Sequence, residues 1–414
     1  MEILFVHPNF PAQFGPVLTK LAGRDDVRCV FVSKAAQGDR DGVRCIRFQV
    51  KGGATRATHY CSRTFENAVW NASGVYEACR ATPDLKPDLI VGHSGFGSTV
   101  FLSELYACPI VNLIEYYYHS HGSDLDFRPD FPPLPVNFLR SRTRNAMILL
   151  DLQTCSAAYT PTQWQWSLLP EIWRPKVEVI HDGVDTDRWR RRPTPRRIGA
   201  EEIDERTRIV TYVSRGLESM RGFDIFVRVA NRIAAQMSNV LFVVVGSDRI
   251  HYGNDASRIR TKSFREHVVL TEKPDLGRFR FLGTIPPAQL VDLFSISDLH
   301  VYLTVPFVLS WSVLNALACE CTVLGSDTAP VREVIRHEEN GLLGDFFDVD
   351  GLAAQALRVL KDPSAYRSLG RAGRSLIEER YSLDRTFPQM WELFTRFAAR
   401  RHGSPAADVR AQLK

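Results

Sequence analysis

LHVYLTVPFVLSWSVLNALACECTVLGSD, residues 299–327, is the stretch on which the fold turns. From Leu299 to Cys319 it carries no Asp, Glu, Lys or Arg, and on length alone such a run is long enough to span a bilayer. Yet it contains His300, Pro306, Ser310, Ser312 and Asn315. It divides into a β-rich run (LHVYL), a proline-bearing loop, a helix-like run (WSVLNALA) and a second β-branched run. The reading is a buried strand, loop, helix and strand in a water-soluble α/β domain.

Working outward, the same alternation continues. Residues 209–213, 241–245, 279–282 and 322–324 are further strand-length apolar runs, and the first half repeats the pattern at residues 3–6, 27–32, 89–92 and 110–114. Continuous apolar strands separated by helical stretches imply parallel sheets covered on both faces. A chain of 414 residues is long for one hydrophobic core and comfortable for two. The expectation is two doubly wound, Rossmann-like domains, residues 1–180 and 181–385, facing each other across a cleft. A final helix in 386–414 then crosses back to the first domain, since FPQMWELFTRFAA places Phe387, Met390, Trp391, Phe394 and Phe397 near one helical face. The hinge is expected at the proline-punctuated RWRRRPTPRR, residues 188–197, or slightly before it, the stretch itself reading as a solvated linker.

Composition narrows the function classes. A hydrophobic share of 44% with 24% charged residues excludes a disordered tail or fibre. A net charge of +5 is too mild an excess to point to nucleic acid; it suits an anionic small molecule, and the 188–197 cluster leaves peripheral contact with an inner membrane face open. Eight cysteines are too sparse for a disulfide scaffold and form no zinc-type pairs. MEILFVHPNF lacks the basic opening and cleavage site of a secretory signal, so a cytoplasmic location is expected.

In open α/β sheets ligands bind in loops beyond the carboxyl ends of strands. Four such loops carry chemistry. HPNFPAQFG, from His7, lacks the G-x-G-x-x-G dinucleotide pattern, and HSGFGS, from His93, brings glycines that let backbone approach a ligand. SRGLESMRGF, from Ser214, places Arg215 and Arg221 around glycines at a helix start, a setting suited to a diphosphate. PFVLSWSVLNALA, from Pro306, offers amides to a phosphate and Asn315 to a ribose.

Taken together these segments, with HDGVDTDRW at 181–189, Phe281-Leu282-Gly283, APVREVI and Asn340-Gly341-Leu342-Leu343, resemble the retaining nucleotide-sugar glycosyltransferases of family 4, in the branch carrying a PFVLSWS stretch. The resemblance implies the GT-B architecture and a nucleotide-diphosphate sugar held by the second domain. It also implies a glycan, lipid-linked or small-molecule acceptor approaching from the first, with neither cofactor nor metal. Arg215 and Arg221 take the positions of the basic pair that meets the donor diphosphate. Gly216, Glu218, Ser310, Trp311, Ser312 and Asn315 are expected around the donor, and His7, Gln13, Phe14, His93 and Gly95 around acceptor or sugar. Glu115, in IVNLIEYYYHSHG, falls where relatives place a sugar-contacting histidine. The Asp-x-Asp triplets at 124, 185 and 348 are expected to be incidental turns.

One departure stands out. The family's two glutamates, eight positions apart, correspond here to Phe307 and Asn315. Asn315 still accepts a hydrogen bond, but without the charge-assisted strength of a carboxylate. This keeps a second reading open, a member that has lost catalysis and binds a sugar nucleotide or glycan as a partner protein. A third, a sugar-nucleotide epimerase or glycosyl phosphorylase on the same architecture, is also open, though no pyridoxal-phosphate lysine motif favours the phosphorylase.

Overall fold

The computed structural model describes residues 1–399. Its contacts divide the described residues into two units: one comprises residues 1–126, 131–183 and 383–399, the other Phe127–Asp130 and Val184–Ser382. The main crossing thus falls at 183–184, and the return begins at Leu383, three residues before the expected 386.

The first unit is built on an eight-stranded sheet. In chain order its strands are β1 (Glu2–Val6), β2 (Arg28–Ser33), β3 (Gly38–Arg40), β4 (Val43–Arg47), β5 (Leu89–His93), β6 (Ile110–Leu113), β7 (Ala157–Thr160) and β8 (Val177–Val179). They lie in the order β3-β4-β2-β1-β5-β6-β7-β8, parallel throughout except for the β3–β4 pair. The continuous apolar runs have the predicted cause. Along β1, Ile3 and Phe5 pack into one core while Leu4 and Val6 pack into another, because successive side chains point to opposite faces. One of these cores is completed by the last helix, Leu383–Ala398, through Met390, Leu393 and Phe394. Phe394 is fully buried against Phe5, with ring centroids 6.2 Å apart. Burying a phenylalanine stabilises by about 1.5–3 kcal/mol, and the Lys20–Asp384 pair at 2.7 Å on the exposed side adds little to that.

The second unit opens with a small antiparallel pair, β9 (Arg197–Ile198) and β10 (Glu201–Glu202). Its main sheet holds β11 (Arg208–Gly216), β12 (Val240–Ser247), β13 (Phe279–Gly283), β14 (Leu299–Tyr302), β15 (Val323–Ser326) and β16 (Leu342–Gly344). The order is β13-β12-β11-β14-β15-β16, with every pair parallel. The uncharged stretch that opened the reading is β14, a loop, the helix Trp311–Ala318 and then β15. Apart from Glu320 and the terminal Asp327, it is uncharged because β14 and the helix are buried almost throughout. Among the described residues no helix is long and apolar enough to cross a membrane.

The crossing at 183–184 falls slightly before the basic stretch 188–197, as one of the two expected placements had it. The stretch lies wholly within the second unit, where Arg192 pairs with Asp292 at 2.7 Å and Arg196 with Asp298 at 3.4 Å. All eight cysteines are free and buried.

Candidate active site

β11 ends in Ser214-Arg215-Gly216, and the chain then passes through a single turn, Ser219–Arg221, into the helix Phe223–Ala234. A Cβ on Gly216 would stand 2.3 Å from the Arg249 carbonyl oxygen, so only glycine lets the loops after β11 and β12 close on each other. Buried groups fix this turn from behind. Asp255 accepts from the Ser219 backbone N–H at 2.8 Å and from its hydroxyl at 2.5 Å. Arg128, 4% exposed, donates to the Ser219 carbonyl at 2.9 Å and bidentately to Asp224 at 2.9 and 2.6 Å.

The cavity in front of the turn has a volume of about 570 Å³ and is bounded by Arg215, Arg249, His251, Thr284, Ile285, Ser310, Ser312 and Asn315, among others, with no carboxylate among its lining residues. Arg215 is exposed, and the one hydrogen bond of its guanidinium among the described residues is a long contact to the Tyr252 hydroxyl, 3.5 Å. Burial, then the charges of Arg215 and Arg249, push the His251 imidazole below its ordinary value, which reports a positive local field. Ser310 caps the helix Trp311–Ala318 by accepting from the Ser312 N–H. Asn315, 8% exposed, lines the wall one turn inside.

Three sequence expectations shift in role. Arg221 is 5% exposed and does not bound the cavity. Its Nη1 donates to Thr304 Oγ1 at 2.9 Å and to the Val308 carbonyl at 3.0 Å, while its guanidinium lies against the Tyr252 and Phe307 rings. Phe307, where the family has a glutamate, therefore supplies an aromatic face to this arginine. Glu218 is fully buried rather than facing a donor; one oxygen accepts from the N–H groups of His251 and Tyr252, at 2.7 and 3.1 Å. Burial pushes its carboxyl up to about 7. Trp311 is 43% exposed and lies outside the cavity lining.

In the first unit the strand order β1-β5-β6 sets three strand ends side by side. His7 follows β1, His93 ends β5, and Glu115 lies just beyond β6. The His7 and His93 rings are 5.1 Å apart. Glu115 accepts from Gln13 Nε2 at 3.0 Å and stands 3.4 Å from His93 Nε2. Burial by itself would raise the Glu115 carboxyl, but the hydrogen bond and charge of His93, the Gln13 amide and the charge of His7 outweigh it and hold the group below its ordinary value. His93 Nδ1 is buried without a hydrogen-bond partner. Behind them Asp151, fully buried, accepts from the Ser94 hydroxyl at 2.8 Å and the Gly95 N–H at 2.9 Å, and burial pushes it up to about 6.

His93 and Glu115, but not His7 or Gln13, bound a second, smaller cavity of about 250 Å³, together with Gly95, Phe96, Tyr116, Asn67, Asn71, Tyr118 and Arg144. Phe14 is a correction: it is fully buried against Phe5 and Phe31 and has no surface to offer a ligand. The Asp-x-Asp triplets are turn and cap residues. Asp126 accepts from Gly122 and Ser123, Asp185 from Asp187 and Arg188, and Asp348 caps the helix Val349–Lys361.

Sequence reading missed Arg249, His251, Thr284 and Ile285, although they follow β12 and β13 and the rule of looking beyond strand ends reaches them. Arg144, Asn67 and Asn71 lie on helices far along the chain and carry no local signal.

Two parallel-sheet units of this topology define the GT-B class of glycosyltransferases. Family models match in series, glycosyl transferase family 4 group over residues 25–189 and glycosyl transferases group 1 over residues 194–376. The chain belongs to the family 4 glycosyltransferases, enzymes of carbohydrate biosynthesis. It is 30% identical over 112 residues to N-acetyl-alpha-D-glucosaminyl L-malate synthase of Bacillus anthracis, a match covering 27% of this chain and 29% of that one, so it spans under a third of that curated relative. Among solved structures it resembles the sucrose-phosphate synthase of Thermosynechococcus elongatus, with a TM-score of 0.72 at 19% identity over 96% of this chain and 99% of that one. It also resembles Anabaena HepE in complex with UDP and glucose, with a TM-score of 0.67 at 15% identity over 96% and 100%.

Proposed function

We propose that the protein transfers a hexosyl group from a nucleotide-diphosphate sugar to an acceptor hydroxyl, with retention of anomeric configuration and with arginine rather than a resident metal ion meeting the charge of the leaving diphosphate. The observation that carries this reading is Arg215, with Arg249, at the wall of a cavity without carboxylates. As the bond from the anomeric carbon to the diphosphate breaks, its electron pair leaves with the diphosphate. The acceptor oxygen bonds to the same carbon from the same face, and its proton passes to a departing phosphate oxygen. Negative charge grows on the diphosphate throughout, so positive charge held in place beforehand lowers the barrier. In this reading Asn315 meets the ribose, and the His93–Glu115 pair the transferred sugar or the acceptor. The UDP and glucose named with HepE support trying uridine first.

Thermal unfolding with millimolar uridine, guanosine, adenosine and thymidine diphosphates tests the reading, since a ligand of the native state raises the midpoint by mass action. At least one should raise it, and Arg215→Ala should lower turnover by on the order of a hundredfold or more. No shift with any diphosphate sinks the proposal. A shift with no donor turnover would favour a sugar-nucleotide-binding protein instead.

A further inference from the structure

We infer that the smaller cavity, on the first unit, binds the acceptor, and that this acceptor is a small hydroxylated oxyanion whose carboxylate or phosphate is held by Arg144. The inference rests on the transferase reading above and names its acceptor class.

Arg144 ends the helix Pro135–Arg144 and bounds the cavity. Its guanidinium carbon lies 3.6 Å over the Tyr118 ring, so the group is held flat against an aromatic face. Among the described residues its guanidinium forms no ion pair within 4 Å and no hydrogen bond, and its Nε is buried without an acceptor. The neighbouring acids are engaged elsewhere. Glu115 is taken by Gln13 and His93, Asp151 by Ser94 and Gly95, and Asp126 by Gly122 and Ser123. Asp124, which feels the charge of Arg144, accepts from the Tyr116 hydroxyl at 2.7 Å, and burial pushes its carboxyl up. On the same helix Arg140 is spent on Tyr60 and Thr64. Arg144 is therefore a half-buried fork of donors on the wall of a polar cavity, and its buried Nε, left without an acceptor, carries a cost that a ligand would relieve. A planar fork matches the two oxygens of a carboxylate or phosphate.

The rest of the wall suits hydroxyls. Asn67 accepts from the Ala54 N–H through Oδ1, leaving its amide N–H groups, and Asn71 makes no hydrogen bond among the described residues. About 250 Å³ lies below the usual range for drug-sized ligands, so the acceptor is compact.

The test uses the whole protein saturated with the nucleoside diphosphate that raises its midpoint, so that the larger cavity is filled. Binding of hexoses and polyols, each offered free and as its monophosphate, and of small hydroxycarboxylic acids is measured by calorimetry in wild type, Arg144→Gln and Arg144→Lys. At least one anionic member should bind ten times or more tighter than its neutral counterpart. Arg144→Gln should abolish that preference while leaving diphosphate binding unchanged, and Arg144→Lys should restore part of it. The phosphate and acid arms separate the two sources of charge. Equal binding of neutral and anionic members, no binding by any member at millimolar concentration, or an equal loss for both in Arg144→Gln overturns the inference. Failure of diphosphate binding itself would instead strike the transferase reading.

Discussion

The two cavities solve different electrostatic problems on similar sheets. In the second unit the charge is fixed: Arg215 and Arg249 stand in the wall, with no carboxylate among the lining residues. In the first, titratable groups dominate, with His7, His93 and Glu115 in contact and Asp151 buried behind them. A diphosphate that carries its charge at any physiological pH needs only a constant field. A hydroxyl that must be oriented and deprotonated needs groups that accept as well as donate. The contrast teaches that two sheets of similar build can present a fixed positive field in one unit and a cluster of titratable contacts in the other.

The contrast can be broken one unit at a time. The largest effect is expected from Phe394→Ala, which opens a cavity in the core that the last helix completes; about 3–5 kcal/mol should be lost. Calorimetry should show the first unit's transition falling while a diphosphate still raises the second's. A single transition that no longer responds to diphosphate would show that the two are not separable in this way.

Next is the buried acid of the second unit. The folded value of Glu218, about 7, lies above its unfolded value near 4.5. Its stability contribution is thus fully present below about 4.5 and is lost as pH rises through about 7, by up to roughly 3 kcal/mol. Glu218→Gln keeps an acceptor for His251 and Tyr252 and should flatten the decline in unfolding midpoint between pH 5 and 8. An unchanged slope would place the titration elsewhere, Asp151 of the first unit being the next candidate by the same sign.

The smallest effect sharpens the comparison by adding a carboxylate where none stands. Asn315→Glu should tighten diphosphate nucleoside binding about fivefold, on the order of 1 kcal/mol, by a charge-assisted bond to ribose. Weaker binding in a titration would mean that Asn315 does not meet the sugar.

What could be read in advance followed from locality. The long buried strands β1, β2, β5, β6, β11, β12, β14 and β15 announce themselves as apolar runs, and the larger cavity is legible because its residues sit just beyond those strands. β4, VRCIR, hides behind its arginines, and β7, AAYT, is too short and small to stand out. β16 is only three residues long. Phe14 was misplaced because a loop motif was read without the ring cluster that absorbs it. Arg144 was invisible because its meaning depends on Tyr118 and on acids being occupied elsewhere, which only three dimensions reveal. The 188–197 cluster looked like a free positive surface until Asp292 and Asp298 were found against it.

The return of the last helix to the first unit bears on the order in which the chain acquires structure during synthesis. The second unit is complete at Ser382. The first, although begun from the amino terminus, lacks Met390, Leu393 and Phe394 until the final helix is made. The usual amino-to-carboxyl sequence of domain maturation is therefore inverted. On the ribosome the second unit closes first, and the apolar face of β1 and β2 waits for residues translated some 350 positions later, as the span from Ser33 to Leu383 sets.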